Sequence, residues 1–215
     1  MIYCITLIAA VLTAYLIGSI PFGFIIGQCH GLDIRKEGSG NIGATNVTRV
    51  IGPWWGKFCF LLDFLKGFVP VGIAALLVRQ EVSADPLHLL APLAALAVVF
   101  GHIFPVYLKF KGGKGIATAA GAIFPLCPSA VICGLLTWVI LFLLTRYVSV
   151  ASIAAAVVLP LTAVLLFVLK VPGAPDIVSV VLFILLGILA IVKHKSNIVR
   201  LLNGTENRFT KGEKK

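Results

Sequence analysis

Charge is what this chain lacks most. Only 12% of its 215 residues are charged, against 60% hydrophobic, and the mean hydropathy is +1.07. That balance excludes a soluble globular domain. No C-x-x-C pair occurs among Cys4, Cys29, Cys59, Cys127 and Cys133. They lie mostly in or beside apolar segments and read as small fillers rather than a metal or disulfide framework. No basic residue precedes the first apolar run, which continues through Pro21 to Gly27. Met1–Gly27 is therefore expected to be a retained first span, not a cleaved signal. With no linker and no internal repeat, residues 1–207 are expected to form one membrane domain, followed by a basic tail at 208–215.

What is present is long apolar runs, such as Val131–Thr145, Ile153–Leu169 and Ile177–Val192. Lipid demands such lengths; a packed aqueous core does not. The pattern predicts an all-α polytopic protein of seven transmembrane helices, over 2–27, 53–78, 87–105, 115–127, 129–145, 148–169 and 176–192. The fourth is short and is closed by Pro125 and Pro128; merging it with the fifth is the rival reading.

Charge arbitrates between them. Of the 18 Lys and Arg, the seven-span reading sends Arg79 and Lys170 to one side and leaves Lys57 and Lys66 within the second span. All the others fall on the opposite side, the positive-inside signature. Merging two helices destroys that asymmetry. The expected orientation is N-terminus outside and C-terminus in the cytoplasm, with the basic rim also anchoring the protein to anionic lipid. The basic residues are not interleaved with exposed aromatics, as nucleic-acid binding would require.

Three polar islands interrupt the apolar chain, and on this topology all face the cytoplasm. Polar groups kept in a membrane chain mark a site. The first runs from Gly38 through Ser39, Gly40, Asn41, Ile42 and Gly43 to Thr45 and Asn46. Its literal G-x-G-x-x-G follows a membrane helix rather than a strand, which rules out a dinucleotide fold. Its glycines can turn N–H groups toward an anion, and Ser39, Asn41, Thr45 and Asn46 add neutral donors. Arg49 lies four residues after Thr45, one turn along a helix, and offers a planar fork to phosphate.

The second island joins Gly101-His102 and Pro105 to Lys111-Gly112-Gly113-Lys114-Gly115. It is no Walker loop, because glycine follows Lys114 where a magnesium-holding hydroxyl would stand. It can still wrap a phosphate and aim two ammonium groups at it. Pro105 is expected to break its helix and release carbonyls near the site. His102 has two readings, a substrate contact or a structural histidine, and both stay open. In the third island, Lys193, His194 and Asn197 stand at the mouth of the last helix, with Arg200 three residues on; His194 and Asn197 share a face if the helix persists.

Other absences narrow the chemistry. No pair of carboxylates lies near the islands at a spacing suited to magnesium, against kinases and nucleotide-dependent chemistry. Asp63 stands within the second span, where a structural ion pair with Lys66 is the expected role. The D-G-x-x-A-R arrangement of CDP-alcohol phosphotransferases is missing, and so is H-x-x-x-x-D, since Tyr107 and Val199 stand five residues after His102 and His194. No serine has an evident His/Asp partner.

Taken in order, the three islands resemble the signatures of the bacterial acyl-phosphate-dependent glycerol-3-phosphate acyltransferase family (PlsY). Arg146-Tyr147-Val148-Ser149 and Asn203-Gly204-Thr205-Glu206 look like further family features. The likeness runs from about Gly18 to Glu206, departing in loops 79–86 and 170–176 and in the tail. It implies transfer of a fatty acyl group from long-chain acyl phosphate to the 1-hydroxyl of glycerol 3-phosphate, giving lysophosphatidic acid and inorganic phosphate. It implies no cofactor, no metal and a cytoplasmic (inner) membrane location; a monomer is the expected state. Expected catalytic residues are Ser39, Arg49, Lys114, His194 and Asn197. Expected substrate contacts are Gly38, Gly40, Asn41, Thr45, Asn46, His102, Lys111, Gly112, Gly113, Ser149 and Lys193. Both substrates carry phosphate and one carries an acyl tail, which is what cationic islands on an apolar bundle suit. The rival from another class is an organophosphate transporter, which predicts an inverted repeat and phosphate groups near the bilayer midplane.

Overall fold

Ten α-helices make up the computed structural model over its described residues, 2–80, 85–86 and 88–209. They are α1 (Ile2–Gly18), α2 (Phe22–Cys29), α3 (Ala44–Val50), α4 (Pro53–Arg79), α5 (Leu90–Ile103), α6 (Ile116–Ile123), α7 (Pro128–Thr145), α8 (Val148–Val168), α9 (Ile177–Lys193) and α10 (Lys195–Leu202). No strand occurs among the described residues. They pack as two compact units, Met1–Leu126 and Cys127–Lys215.

Among the described residues, five spans are long and apolar enough to cross a membrane: Tyr3–Cys29, Pro53–Arg79, Leu90–Leu108, Pro128–Thr145 and Val148–Val168. α9 and α10, bent by 52° at their junction, make a sixth if taken together. Leu12, Leu76, Leu144, Leu161 and Ile188 are among the many large apolar side chains left exposed. In a membrane that surface is covered by lipid.

The expected fourth span is where the fold departs most from the sequence reading. α6 has only 8 residues, ~12 Å of helix, against a hydrocarbon core of ~30 Å. Its packing explains the shortness. A Cβ on Gly121 would meet the Phe64 carbonyl at 2.0 Å, one on Gly67 the Thr118 carbonyl at 2.2 Å, so glycines let α4 and α6 touch backbone to backbone. Pro125, just beyond α6, reaches Gly72, and Phe124 packs on Phe64 and Phe68. Along α4, α6 thus lies beside Phe64–Gly72, and it packs on α5 as well.

The first span is also broken. α1 ends at Gly18 and α2 starts at Phe22, because Pro21 lacks the N–H that a continuous helix needs. Lys66 Nζ donates to the Ile20 carbonyl in that break at 2.8 Å. The same ammonium pairs with Asp63 at 2.8 Å, with both side chains buried, so the expected intramembrane ion pair is present.

In the second unit α7, α8 and α9 pack side by side. Trp138 Nε1 donates to Ser152 Oγ at 3.1 Å, and Gly187 lies against the Ala156 carbonyl. Of the expected tail, residues 210–215 (with Lys211, Lys214 and Lys215) lie outside the described residues, as do residues 81–84 and 87 of the loop after α4. Arg208 and Phe209, assigned to that tail, instead dock on the α7–α8 turn. Phe209 N donates to the Arg146 carbonyl at 3.0 Å, Arg208 Nε to the Thr145 carbonyl at 3.2 Å, and the Phe209 ring meets Phe142 edge-on.

Candidate active site

The first island folds as a loop that closes on α3, and Asn46 is its keystone. Asn46 is buried; its Oδ1 accepts from Ser39 N at 2.8 Å, and its Nδ2 donates to the Ile34 and Glu37 carbonyls, each at 3.0 Å. An amide has two donor hydrogens, and both are used here. Expected from sequence as a substrate contact, Asn46 is placed here bracing the loop, with both amide hydrogens used within it. Gly38 and Gly40 take left-handed backbone. Gly40 N donates to the Glu37 carbonyl and Gly43 N to Asn41 Oδ1. With Ser39 N, three of the amides expected to face an anion are spent inside the loop. What the loop presents is its side chains, with Ser39 exposed and Asn41 half-buried.

Thr45 and Arg49 both lie on α3, so the expected one-turn spacing holds. Arg49 is half-buried in the helix's last turn. Just before the island, exposed Arg35 and half-buried Asp33 neutralise each other at 2.7 Å. The Arg35 hydrogen bonds hold the Asp33 carboxyl at about 2.

The second island folds back on the end of α5. After His102 and Ile103 the chain leaves the helix at Phe104-Pro105, makes a 3-10 turn at Val106–Leu108, and takes left-handed backbone at Lys109 and Phe110. Gly112 N then donates to the Ile103 carbonyl at 3.2 Å and Gly113 N to the His102 carbonyl at 3.1 Å. The Phe104 carbonyl accepts from Tyr15 Oη at 2.8 Å, and the Pro105 carbonyl from Phe110 N at 2.9 Å. The carbonyls that Pro105 was expected to release are refilled locally. Gly112 and Gly113 likewise offer no outward amides; the loop's contribution is its cations, with Lys111 exposed and Lys114 half-buried.

His102 is buried, and its Nδ1 lies 3.1 Å from Thr118 Oγ1 and 3.6 Å from Asp63 Oδ1. Its other face abuts the loop: a Cβ on Gly113 would fall 2.2 Å from Nε2, so only glycine fits.

In the second unit the helix does not persist through the third island. It breaks at His194, which ends α9 and caps α10, leaving Lys193 half-buried in the last turn of α9. His194 is buried, with Nδ1 2.8 Å from the Ala190 carbonyl. A carbonyl only accepts, so Nδ1 carries the hydrogen, and in a neutral ring Nε2 is then the acceptor.

Asn197, buried one turn later, donates Nδ2 to Glu206 Oε1 at 2.7 Å. Arg200 Nε donates to the other oxygen, Oε2, at 2.8 Å. Ser149, at the start of α8, is buried with no aligned partner for its hydroxyl, which lies against the same carboxylate. Burial pushes the Glu206 carboxyl up, but Asn197, Ser149 and Arg200 outweigh it and hold it below its ordinary value. Glu206, given no role from the sequence, is the residue that ties Asn197 and Arg200 together. Its signal was present: a single acid just beyond a basic helix, after the helix-ending Asn203-Gly204.

These two sets of groups, cations with a polar loop and a histidine–asparagine–carboxylate cluster, lie in the loops and short polar helices between or after the long apolar ones. The family model described as glycerol-3-phosphate acyltransferase matches residues 8–204. The chain belongs to the glycerol-3-phosphate acyltransferase family. It is 46% identical over 200 residues to the glycerol-3-phosphate acyltransferase of Aquifex aeolicus, covering 93% of this chain and 97% of that protein. The corresponding protein of Thermotoga petrophila is 45% identical, with 90% and 92% covered. Among solved structures, the glycerol 3-phosphate form of PlsY (YgiH), an integral membrane glycerol 3-phosphate acyltransferase, is similar at a TM-score of 0.82. It is 44% identical, with 94% of this chain and 95% of that chain covered. Its lysophosphatidic acid form gives a TM-score of 0.80 at 43% identity. The chain is thus an integral membrane acyltransferase by family.

Proposed function

We propose that the chain moves a fatty acyl group from acyl phosphate to the 1-hydroxyl of sn-glycerol 3-phosphate. The products are lysophosphatidic acid and inorganic phosphate. The observation that carries this is the near full-length likeness to PlsY in its glycerol 3-phosphate and lysophosphatidic acid forms. The cationic islands give it chemical sense, because both substrates bring phosphate. Acyl phosphate is a mixed anhydride already activated for attack, so no covalent nucleophile is needed.

In this reading Arg49 and Lys114 hold and neutralise phosphate, with Lys111 in support. The Ser39 hydroxyl, Asn41, Thr45 and Ser149 position the acyl phosphate, and Lys193 adds positive potential. Neutral His194, with Nε2 as acceptor, orients the attacking hydroxyl; the Asn197 amide, fixed by Glu206, holds the acceptor substrate. The glycerol oxygen bonds to the acyl carbon, the carbon–oxygen bond to phosphate breaks, and the hydroxyl proton ends on the departing phosphate. Cations on that phosphate stabilise the charge it gains.

The positive-inside asymmetry supports a topology of seven crossings, with α6 a thin fourth one. The N-terminus then lies outside and the polar islands face the cytoplasm, in the cytoplasmic membrane of a bacterium. The protein acts as a monomer.

The test is lysophosphatidic acid synthesis by purified protein in detergent. Synthesis without a sealed compartment supports catalysis; its absence, together with glycerol 3-phosphate flux into proteoliposomes, would establish the transporter instead.

A further inference from the structure

Asp63, Lys66, His102 and Thr118 form a polar cluster inside the first unit, contributed by α4, α5 and α6. Lys66 Nζ bridges Asp63 Oδ1 and the Ile20 carbonyl, each at 2.8 Å. Asp63 Oδ2 accepts from the Cys59 thiol at 3.8 Å. His102 Nδ1 lies 3.6 Å from Asp63 Oδ1 and 3.1 Å from Thr118 Oγ1. All four side chains are buried.

An ion pair in a spanning helix is costly, and apolar residues of similar volume often stabilise a fold as well or better. Its persistence here calls for a job, and the contacts indicate one. His102 meets the Lys111–Lys114 loop twice. Its carbonyl accepts from Gly113 N at 3.1 Å. Its imidazole fills the space where a Gly113 side chain would stand, with Nε2 2.2 Å from the would-be Cβ. Lys114 is the next residue. Thr118, on the first turn of α6, ties the segment after that lysine to the same imidazole.

We infer that the Asp63–Lys66–His102–Thr118 cluster is the positioning device of the phosphate-binding loop, holding the imidazole against Gly113 so that Lys114 is presented to the phosphate of the substrate. Asp63 and Lys66 act through His102 and are positioning residues, as is Thr118. The inference rests on the acyltransfer reading, since it takes the Lys114 loop as the phosphate-binding element. It moves His102 from direct substrate contact to support of the loop.

The experiment is calorimetric titration of full-length protein in lipid nanodiscs with glycerol 3-phosphate, beside a thermal melt of each variant. His102→Leu is expected to weaken binding about ten- to a hundredfold while the protein stays folded. His102→Asn, which keeps a polar atom near the Nδ1 position, recovers part of that loss. In a Lys114→Met background His102→Leu adds less than about twofold, because both changes act on one element. Losses that multiply in the double variant, or a His102→Leu protein that binds like wild type, overturn the inference. If His102→Leu does not fold, Thr118→Val removes one hydroxyl and carries the same comparison. Wild-type protein that fails to bind glycerol 3-phosphate would count against the acyltransfer reading itself.

Discussion

Glu206 Oε1 accepts a hydrogen bond of 2.7 Å from Asn197 Nδ2, so the carboxylate fixes which way the buried amide points. With Arg200 on its other oxygen, Glu206 clamps the segment after α10 onto the helix that carries Asn197. A residue outside the three polar islands thereby sets the geometry of one inside them.

Glu206→Gln keeps the shape but loses the charge and leaves an amide facing Arg200. The expected loss is about 1.5–3 kcal/mol, the range for a hydrogen bond to a charged group, read as a lower melting temperature, with turnover falling in parallel. The pH dependence follows from the carboxyl lying below its ordinary 4.5 in the folded chain. A depressed carboxylate stabilises the fold above its unfolded value and stops doing so as pH falls through its folded value. The melting temperature of wild type should therefore fall below about pH 4.5 more steeply than that of Glu206→Gln.

Asn46→Asp tests the first loop. It keeps an acceptor for Ser39 N but replaces the amide nitrogen, which donates both its hydrogens, with an oxygen facing the Ile34 and Glu37 carbonyls. Asp should be worse than Ala here, since a buried carboxylate against carbonyls costs more than an unfilled space. Melting temperatures in the order wild type, Ala, Asp check it; Asp matching wild type would contradict the scaffold role.

Lys114→Ala removes an ammonium from the proposed phosphate site. About 2–4 kcal/mol of charge stabilisation is at stake, a loss of roughly 30- to 1,000-fold in kcat/KM. Lys111→Ala, in support and exposed, should lose less. Steady-state kinetics for both variants decide the order.

His194→Ala removes the ring that accepts at Nε2, and turnover should fall about 10²- to 10⁴-fold. Near-normal turnover would remove His194 from the mechanism.

Much of this was legible from the chain. Apolar run lengths set the second span at 53–78, against Pro53–Arg79 in the fold, and the ion pair of Asp63 with Lys66 followed from spacing alone. Other features were hidden for physical reasons. Asn46 reads as a donor until its distant partners, the Ile34 and Glu37 carbonyls, are seen. Gly112 and Gly113 read as an anion nest, yet their amides close on α5 because Pro105 leaves carbonyls there to be filled. The short α3 and α10 lie in polar stretches where no apolar run announces a helix. Glu206 could be noticed but not placed, since its partners are set by the break at His194.

The central claim is the acyl donor. The measurement is phosphate release by purified protein in lipid, given glycerol 3-phosphate with palmitoyl phosphate or with palmitoyl-CoA. The account predicts inorganic phosphate and lysophosphatidic acid in equal amounts from palmitoyl phosphate, and no product from palmitoyl-CoA. Lysophosphatidic acid formed from palmitoyl-CoA, with palmitoyl phosphate inert, would contradict it.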